Sequence, residues 1–356
     1  MPTKRFIHIG TGGFGKYWAR NVLPRLVEMG KVEPAAAVDI DPDQLRNAVE
    51  GYGISPGCCF TDAREAFDKV QADFAIIVVP PAYHEQMVDL ALAHDMDILS
   101  EKPIADTMEA CARIYHKVTR AKTKMAITMS HRFDQDKQTL QQLVRSGKLG
   151  RQNYVVCRFT HNCRAFGSWS EFRHRIADPL LIEGTVHHFD IFRALTGSNA
   201  RKVYARTWNP PWGEYAGDST GLVVMEMESG VHCLYEGAKA NASTMNGWGE
   251  EYFRVECESG TAEMDRREIR ILRGGAWERP AAENVPLLER ETWANPWLAE
   301  LFVDWLNGGP APENTLQDNI HCAALLFAAI ESAHAGKVVD VQRFLKRHLR
   351  AAAVQV

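Results

Sequence analysis

Between residues 180 and 195 the chain reads LLIEGTVHHFDIFRAL, an apolar stretch that carries two acids and two adjacent histidines. Glu183, His187, His188 and Asp190 are side chains that can move protons, ligate a metal or build a hydrogen-bonded patch in a core. At helical spacing Glu183, His187 and Asp190 (i, i+4, i+7) fall within a sector of about 60°. Val186, Phe189, Ile191, Phe192 and Leu195 take up most of the remaining circumference. Such a helix is buried with one polar stripe, and an unpaired buried carboxylate costs several kcal/mol, so something must meet the stripe. His188 lies about 100° round from His187 and belongs to another face. A metal would draw on Glu183, His187 and Asp190, with Cys163 or His161 added, but no paired motif such as HExxH supports it and no metal is expected. Proton transfer through a histidine, which titrates near neutrality, and a core network remain.

Two further clusters bear on the choice. GTGGFG (10–15) fits G-x-G-x-x-G, follows the strand-like RFIHIG and opens a helical pattern, and Asp39 stands 24 residues after Gly15 at the end of a second strand-like run. That context is what a dinucleotide loop requires. Gly10 permits the turn, Gly12 lets backbone approach a pyrophosphate, and Gly15 lets helix pack on strand. Gly13 and Phe14 complete the loop at a helix N-terminus whose N–H groups and dipole suit phosphates. Asp39 would accept ribose hydroxyls and repel a 2′-phosphate, and no Arg follows it in DIDPD, so NAD is expected over NADP. Asp41 is the expected helix cap. In SEKPIAD (100–106), Pro103 holds Lys102 at the carboxyl end of a strand, the edge at which doubly wound sheets bind ligands. A lysine there can orient a substrate hydroxyl and join proton transfer, and Glu101 and Lys102 are both assigned to the cofactor end of the site. The loop RAFGSWSEFRHR (164–175) suits stacking on a sugar ring and binding hydroxyls or a carboxylate, with Trp169, Arg173 and His174 as substrate contacts. WNPPWGEY (208–215) is a second aromatic loop, suited to capping a sheet or meeting a partner subunit.

The elements that must position these residues are legible. Up to about residue 130, strand-like runs (5–10, 34–40, 73–81, 97–103, 125–130) alternate with helical ones (13–30, 42–53, 84–95, 108–122), which implies a parallel sheet with helices on both faces. After a helix at 137–150 and a strand at 153–162, the histidine helix follows. Six strand-like runs between 202 and 272 are separated by turn signals such as MESG and ESGTAE, an antiparallel pattern. Helices over 297–309 and 314–337 close the chain. The expected organisation is an α/β dinucleotide-binding domain (1–128), an α+β domain with a large open antiparallel sheet (129–340), and a terminal helix or tail (341–356).

With G-x-G-x-x-G after the first strand, VVPPAYH (78–84), EKP (101–103), HRF (131–133) and an acid-x-x-x-His-x-x-Asp helix in order, the chain resembles the glucose–fructose oxidoreductase/inositol dehydrogenase (Gfo/Idh/MocA) family over essentially its whole length. The resemblance implies a Rossmann domain, a C-terminal domain on an open antiparallel sheet, and NAD(P)-dependent redox chemistry at a secondary hydroxyl of a sugar, cyclitol or sugar derivative. It implies that Pro80 and His84 back the nicotinamide ribose and that His131 approaches the cleft with Arg132. His187 would take the hydroxyl proton, with Lys102 beside it. Glu183 stands where the family usually has aspartate, which leaves the role of the acid open, and Asp190 would support the histidine. His188 is assigned to the substrate. The family also implies a homodimer or homotetramer through the C-terminal sheet.

Composition excludes other classes. The 356 residues are 46% hydrophobic and 24% charged with formal net charge −4, and the pI near 6.4 offers no basic field to nucleic acid or anionic membrane. No apolar run spans a bilayer, no signal peptide precedes the first strand, and the eight cysteines lack CxxC spacing, so a cytoplasmic enzyme acting on a small molecule is expected. A cofactor-binding regulator without catalysis, and an NAD-dependent glycosidase using transient redox, are the competing readings.

Overall fold

Strand β1 (Lys4–Ile9) is buried over its last four residues, and β4 (Phe74–Ile77) is buried throughout. Runs with no solvent face belong in the middle of a parallel sheet, and there both lie. In the computed structural model, which describes residues 2–355, they are the central strands of a six-stranded sheet of order β3-β2-β1-β4-β5-β6. The others are β2 (Val32–Val38), β3 (Cys59–Phe60), β5 (Asp97–Ser100) and β6 (Met125–Ile127), all paired in parallel. The order reverses between β1 and β4, which is the switch point where such sheets open a ligand crevice.

The sequence predicts one helix over 13–30. The structure has helix Phe14–Tyr17, a wide π turn over Trp18–Val22, and helix Leu23–Glu28. The Leu23 N–H donates five residues back, to the Trp18 carbonyl. Pro24 has no N–H to close the next ordinary bond, and the turn widens just ahead of it.

The chain divides into two compact units. The first comprises the chain up to Phe133, Glu291–Ile320, and the residues from His348 on; the second comprises Asp134–Arg290 and His321–Arg347. Helix Ala294–Leu306 belongs to the first unit because its Leu298, Ala299, Phe302 and Val303 share a core with Phe6, Trp18 and Phe74.

The second unit is built on a nine-stranded sheet of order β14-β13-β12-β11-β7-β10-β9-β8-β15. Its strands are β7 (Gln152–Thr160), β8 (Ala200–Trp208), β9 (Thr220–Met227), β10 (His232–Ala238), β11 (Tyr252–Cys257), β12 (Gly260–Asp265), β13 (Glu268–Arg273), β14 (Ala281–Val285) and β15 (Val339–Asp340). Every pair is antiparallel except β7 and β10, which run parallel. Residues alternate along each strand, as a sheet with one covered face requires. Val155, Cys157, Phe159, Val223, Met225, Tyr235, Phe253 and Val255 are buried, under helices Gln135–Arg145 and Val186–Thr196. The histidine segment departs from a regular helix. Leu180–Thr185 forms a π turn, in which the Val186 N–H reaches the Leu181 carbonyl, and the α-helix begins only at Val186. Among the described residues no helix is long and apolar enough to cross a membrane.

Candidate active site

In the first unit a row of backbone bonds runs across the carboxyl ends of the strands. The N–H of Asp39 donates to Phe60 O, Gly10 to Val38 O, Val78 to Ile9 O, Glu101 to Ile77 O and Thr128 to Ser100 O, at 2.8 to 3.1 Å. Each bond joins the residue just past one strand to the end of its neighbour. The glycine loop, Asp39, the VVPP turn and the EKP turn, far apart in sequence, are thereby set side by side along one edge.

The loop itself is built by close approach. A Cβ on Gly15 would lie 1.8 Å from the Gly10 carbonyl oxygen, and one on Gly10 would lie 2.1 Å from the Val78 oxygen. Only glycine lets the helix start against the strand and the β1 and β4 loops touch. Asp39 fixes the turn: its Oδ2 accepts the N–H groups of Thr11 and Gly12 at 2.8 and 2.9 Å, and its Oδ1 accepts that of Asp41 at 3.0 Å. The Thr11 hydroxyl also donates to Oδ2, at 3.4 Å; each carboxylate oxygen has about two acceptor sites, so Oδ1, with the Asp41 N–H alone, is the oxygen that can take a hydroxyl. Gly13 is the N-cap of the helix at Phe14, and no side chain caps that end. Phe14 is exposed and stacks on Tyr17 at 5.3 Å. Asp41 caps the next turn by accepting the Asp43 N–H at 3.0 Å.

At the EKP turn Glu101 is buried. Its Oε1 accepts the Trp18 indole N–H at 2.8 Å and its Oε2 the Lys102 N–H at 3.2 Å. Burial pushes its carboxyl above the usual range, against the pull of its Trp18 and Thr128 bonds. Glu101 thus ties the EKP turn to the π turn that begins at Trp18, while half-buried Lys102 precedes a cis bond to Pro103. His84 is wholly buried between two turns. Its Nδ1 faces the carbonyls of Pro103 and Ile104 at 3.1 and 3.2 Å and its Nε2 that of Val79 at 2.9 Å; burial holds its pKa down. The ring clamps the VVPP turn to the EKP turn, leaving Pro80 exposed. His131 is half-buried just past β6, and Arg132 is turned to Asp318 Oδ2 at 3.3 Å.

In the second unit, Glu183 lies in the π turn, whereas His187 and Asp190 lie in the α-helix that follows it. It is buried and accepts Arg173 Nε at 3.0 Å. Arg173 also donates to Ser170 Oγ at 3.0 Å and stacks on Phe172 and Trp169 at 4.6 and 5.3 Å. Asp190 is buried against Arg193 at 3.4 Å. Two guanidinium groups therefore meet the carboxylates that sequence alone offered to a metal. His187 lies with its ring at 5.7 Å from Trp248, edge to face.

Two histidines assigned to the substrate are engaged within the fold instead. His174 is buried, its ring nitrogens 3.0 Å from Ser170 O and 3.2 Å from Cys163 O, and it stacks on Tyr215 at 4.1 Å. His188 has no exposed surface; its Nε2 lies 3.7 Å from Glu251 and its Nδ1 3.4 Å from the Tyr235 hydroxyl. Beyond it Lys137, also buried, reaches Glu251 Oε2 at 2.7 Å and Asp136 Oδ2 at 3.1 Å. Burial works against that ammonium, but Glu251, Asp136 and Asp134 outweigh it and raise its pKa.

Sequence reasoning missed Lys137, Glu251 and a second buried lysine, Lys239. The last is surrounded by rings, with Nζ at 3.7 Å from the Phe159 centroid, 4.4 Å from Trp169 and 4.7 Å from Trp248. Its signal was available: in VHCLYEGAK, Lys239 has the same alternation as the inward Cys233, Tyr235 and Gly237.

Residues 4–129 match the family model described as "Oxidoreductase family, NAD-binding Rossmann fold", and residues 137–263 match the "GFO/IDH/MocA C-terminal domain". The chain is 46% identical to an uncharacterised protein of Sinorhizobium fredii, y4oX, covering 99% of this chain and 100% of that one. It is 28% identical to an inositol 2-dehydrogenase of Pseudarthrobacter chlorophenolicus over 64% of this chain and 65% of that protein. A D-apiose dehydrogenase of Paraburkholderia graminis is 24% identical over 92% and 88% of the two chains. Among solved structures, an Agrobacterium radiobacter oxidoreductase in complex with NAD+, L-tartaric acid and magnesium superposes with a TM-score of 0.82 at 19% identity, over 96% of this chain and 99% of that one.

Proposed function

The chain belongs to the Gfo/Idh/MocA oxidoreductases, and from that premise we propose that it is an NAD-dependent dehydrogenase oxidising a secondary hydroxyl of a sugar, cyclitol or sugar derivative. The observation that carries the reading is the row of backbone bonds at the carboxyl edge of the parallel sheet, which gathers Gly10, Asp39, Val78 and Glu101 with Lys102 next to it. The inositol and apiose dehydrogenases among its relatives support the substrate class.

The first unit fits the cofactor. The Gly10 and Gly15 positions form a cradle that any Cβ would fill, and the helix end at Phe14, left without a side-chain cap, suits a pyrophosphate. Asp39 sits where a ribose hydroxyl can be accepted and a 2′-phosphate repelled, so NAD is preferred over NADP. When bound, NAD+ supplies the hydride acceptor at its nicotinamide ring. The chain's own part is positioning and proton management. Lys102 donates to the substrate hydroxyl oxygen and so orients it. His187 takes the hydroxyl proton as the hydride leaves the same carbon, and the alcohol becomes a ketone. Arg173 positions Glu183 through their ion pair and lies over Trp169, in the segment we assign to the substrate. Glu101 and His84 act through the turns they tie, and His174 and His188 through the core of the second unit.

Assembly through the second unit's sheet is supported by its outer face. Tyr204, Val224 and Leu234 are paired across β8, β9 and β10, and with Leu222 they are 37 to 48% exposed. A contiguous apolar row of this kind marks an interface in a soluble protein, and we take it as a homodimer contact, from which a tetramer can be built. A cytoplasmic location is supported by the eight cysteines, all free thiols.

The test is NADH formation by the purified protein with NAD+ against inositols, aldoses, sugar acids and glycosides, repeated with NADP+. Turnover on any member, at least tenfold weaker with NADP+, is expected. NADH binding without turnover across the panel would favour the non-catalytic regulator, and glycoside cleavage without net NADH the internal-redox glycosidase.

A further inference from the structure

Lys239 is fixed at its backbone, where its N–H donates to Ser219 O at 2.9 Å and its carbonyl accepts the Cys163 N–H at 2.7 Å. Its side chain is wholly buried, and among the described residues its Nζ has no hydrogen-bond partner. Three rings line it instead, Phe159, Trp169 and Trp248. Aromatic faces attract an ammonium but replace none of the strong acceptors that a buried cation needs. Burial accordingly pushes its pKa well below the usual lysine range. As a structural element the residue makes little sense, since methionine would fill the same greasy slot without the polar cost.

The cage stands among the residues assigned to the substrate. Trp169 lies under the Arg173 guanidinium, and Trp248 meets His187 edge to face. Gly184, next to Glu183, has no side chain, and a Cβ there would sit 3.7 Å from Lys239 Cε. Phe159 is a buried strand residue, whereas Trp169 and Trp248 are partly exposed on loops, so the cage borders solvent on its indole side, with Lys239 itself wholly covered.

We infer that Lys239 is the anchor for a carboxylate of the substrate, so that the alcohol oxidised is carried by a sugar acid or related polyhydroxy acid. This rests on the dehydrogenase reading above. The charge count favours a monoanion. Arg173 is already compensated by Glu183 at 3.0 Å, whereas the Lys239 Nζ has no acceptor among the described residues and feels Glu251 and Cys163 only through longer-range attraction. A carboxylate favours the ammonium that burial disfavours, balances its one charge and accepts its N–H groups; a phosphate dianion would leave an excess negative charge in a dry cage.

The experiment compares matched pairs, glucuronate with glucose, gluconate with sorbitol and galactonate with galactitol, by NAD+ turnover and by the quenching of tryptophan fluorescence. Inorganic phosphate is a third probe. The acid of each pair is expected to bind at least tenfold more tightly, and Lys239→Met to lose that preference while its Tm equals or exceeds the wild-type value. Neutral members bound as tightly as acids by the wild type, phosphate bound more tightly than the carboxylates, or an acid preference surviving in Lys239→Met would each overturn the inference. If the variant does not fold, the wild-type comparison decides alone. Acid binding that depends on Lys239 without turnover on any compound would leave the anion site standing and remove the dehydrogenase reading. Turnover on neutral polyols without acid preference would do the reverse.

Discussion

Gly15→Ala puts the cofactor loop to its hardest test. The new Cβ would stand 1.8 Å from the Gly10 carbonyl oxygen and 2.7 Å from its carbon, where an ordinary contact needs more than 3.4 Å. Both atoms are backbone, so no side chain can swing aside. Gly10 cannot retreat easily either, because its N–H is bonded to Val38 O at 2.8 Å and it packs so closely on Val78 that a Cβ there would lie 2.1 Å from the Val78 oxygen. The helix must therefore tilt off the strand by more than an ångström. Overpacking of this kind costs about 1 to 3 kcal/mol, and the tilt drags Thr11 and Gly12 off Asp39, whose charge-assisted bonds are worth roughly 1.5 to 3 kcal/mol each. Much of that sum falls on the cofactor-competent loop, so NADH affinity should drop about 100-fold, or roughly 2.7 kcal/mol. Gly53→Ala is the matched control. Gly53 ends helix Arg46–Tyr52 at φ 75° with open space around its Cα, and alanine there costs about 1 to 2 kcal/mol of left-handed strain without touching the loop. Fluorescence titration with NADH and thermal melts of both variants make the comparison. NADH affinity in Gly15→Ala within twofold of wild type would refute the account of how this loop is built.

Lys102→Met should retain NADH affinity within a few-fold and lower kcat by 10³ or more, as measured by binding and steady-state kinetics; unchanged turnover would remove Lys102 from the chemistry. Lys137→Met leaves Glu251 and Asp136 buried without their ammonium, and should cost about 3 to 5 kcal/mol in chemical denaturation. Orphaned buried carboxylates have raised pKa values, so that deficit should shrink as pH falls from 8 to 5. His8 is wholly buried, and burial lowers its pKa to about 3. A base depressed in the fold is protonated first in the unfolded chain, so its contribution is complete above about pH 6.5 and is lost as pH falls towards about 3. His8→Gln should flatten stability across that window in urea titrations. Val224→Glu places charge at the centre of the apolar row and should shift the protein to monomer in light scattering; an unchanged mass would exclude that face.

What was legible in the sequence was whatever is enforced locally. GTGGFG, the apolar DFAIIVVPP run and the alternating runs after residue 200 each state their own burial pattern, and the two sheets follow them. The histidine helix shows where such reading stops. A regular helix is the natural reading of that segment, but Leu180–Thr185 forms a π turn, and no residue type announces it. Arg173, ten residues upstream, decides where Glu183 points. His188 and His174 look like ligand groups in sequence because histidine is usually a surface or site residue; their partners, Glu251, Tyr235 and the carbonyls of Ser170 and Cys163, come from remote strands and loops.

The two buried lysines of the second unit show what kind of information was missing. Both are at or near zero exposure, and strand alternation marks Lys239 as inward but says nothing of what either lysine meets there. Lys137 has Glu251 and Asp136 within 3.1 Å and is a settled charge; what it does can be read entirely from the fold, and its removal should be felt mainly as stability. Lys239 has three rings and, among the described residues, no acceptor. A buried amino group that the fold leaves without an acceptor is destabilising whether or not it is protonated, so its retention points outside the fold, to something that arrives bearing a negative charge. The same substitution, lysine to methionine, therefore separates the two by sign. At 137 it should lower stability by several kcal/mol, and at 239 it should leave stability equal or higher while acid recognition is lost. A loss of stability at both positions would mean that the aromatic cage is itself a sufficient partner for the ammonium, and that Lys239 belongs to the core rather than to the substrate.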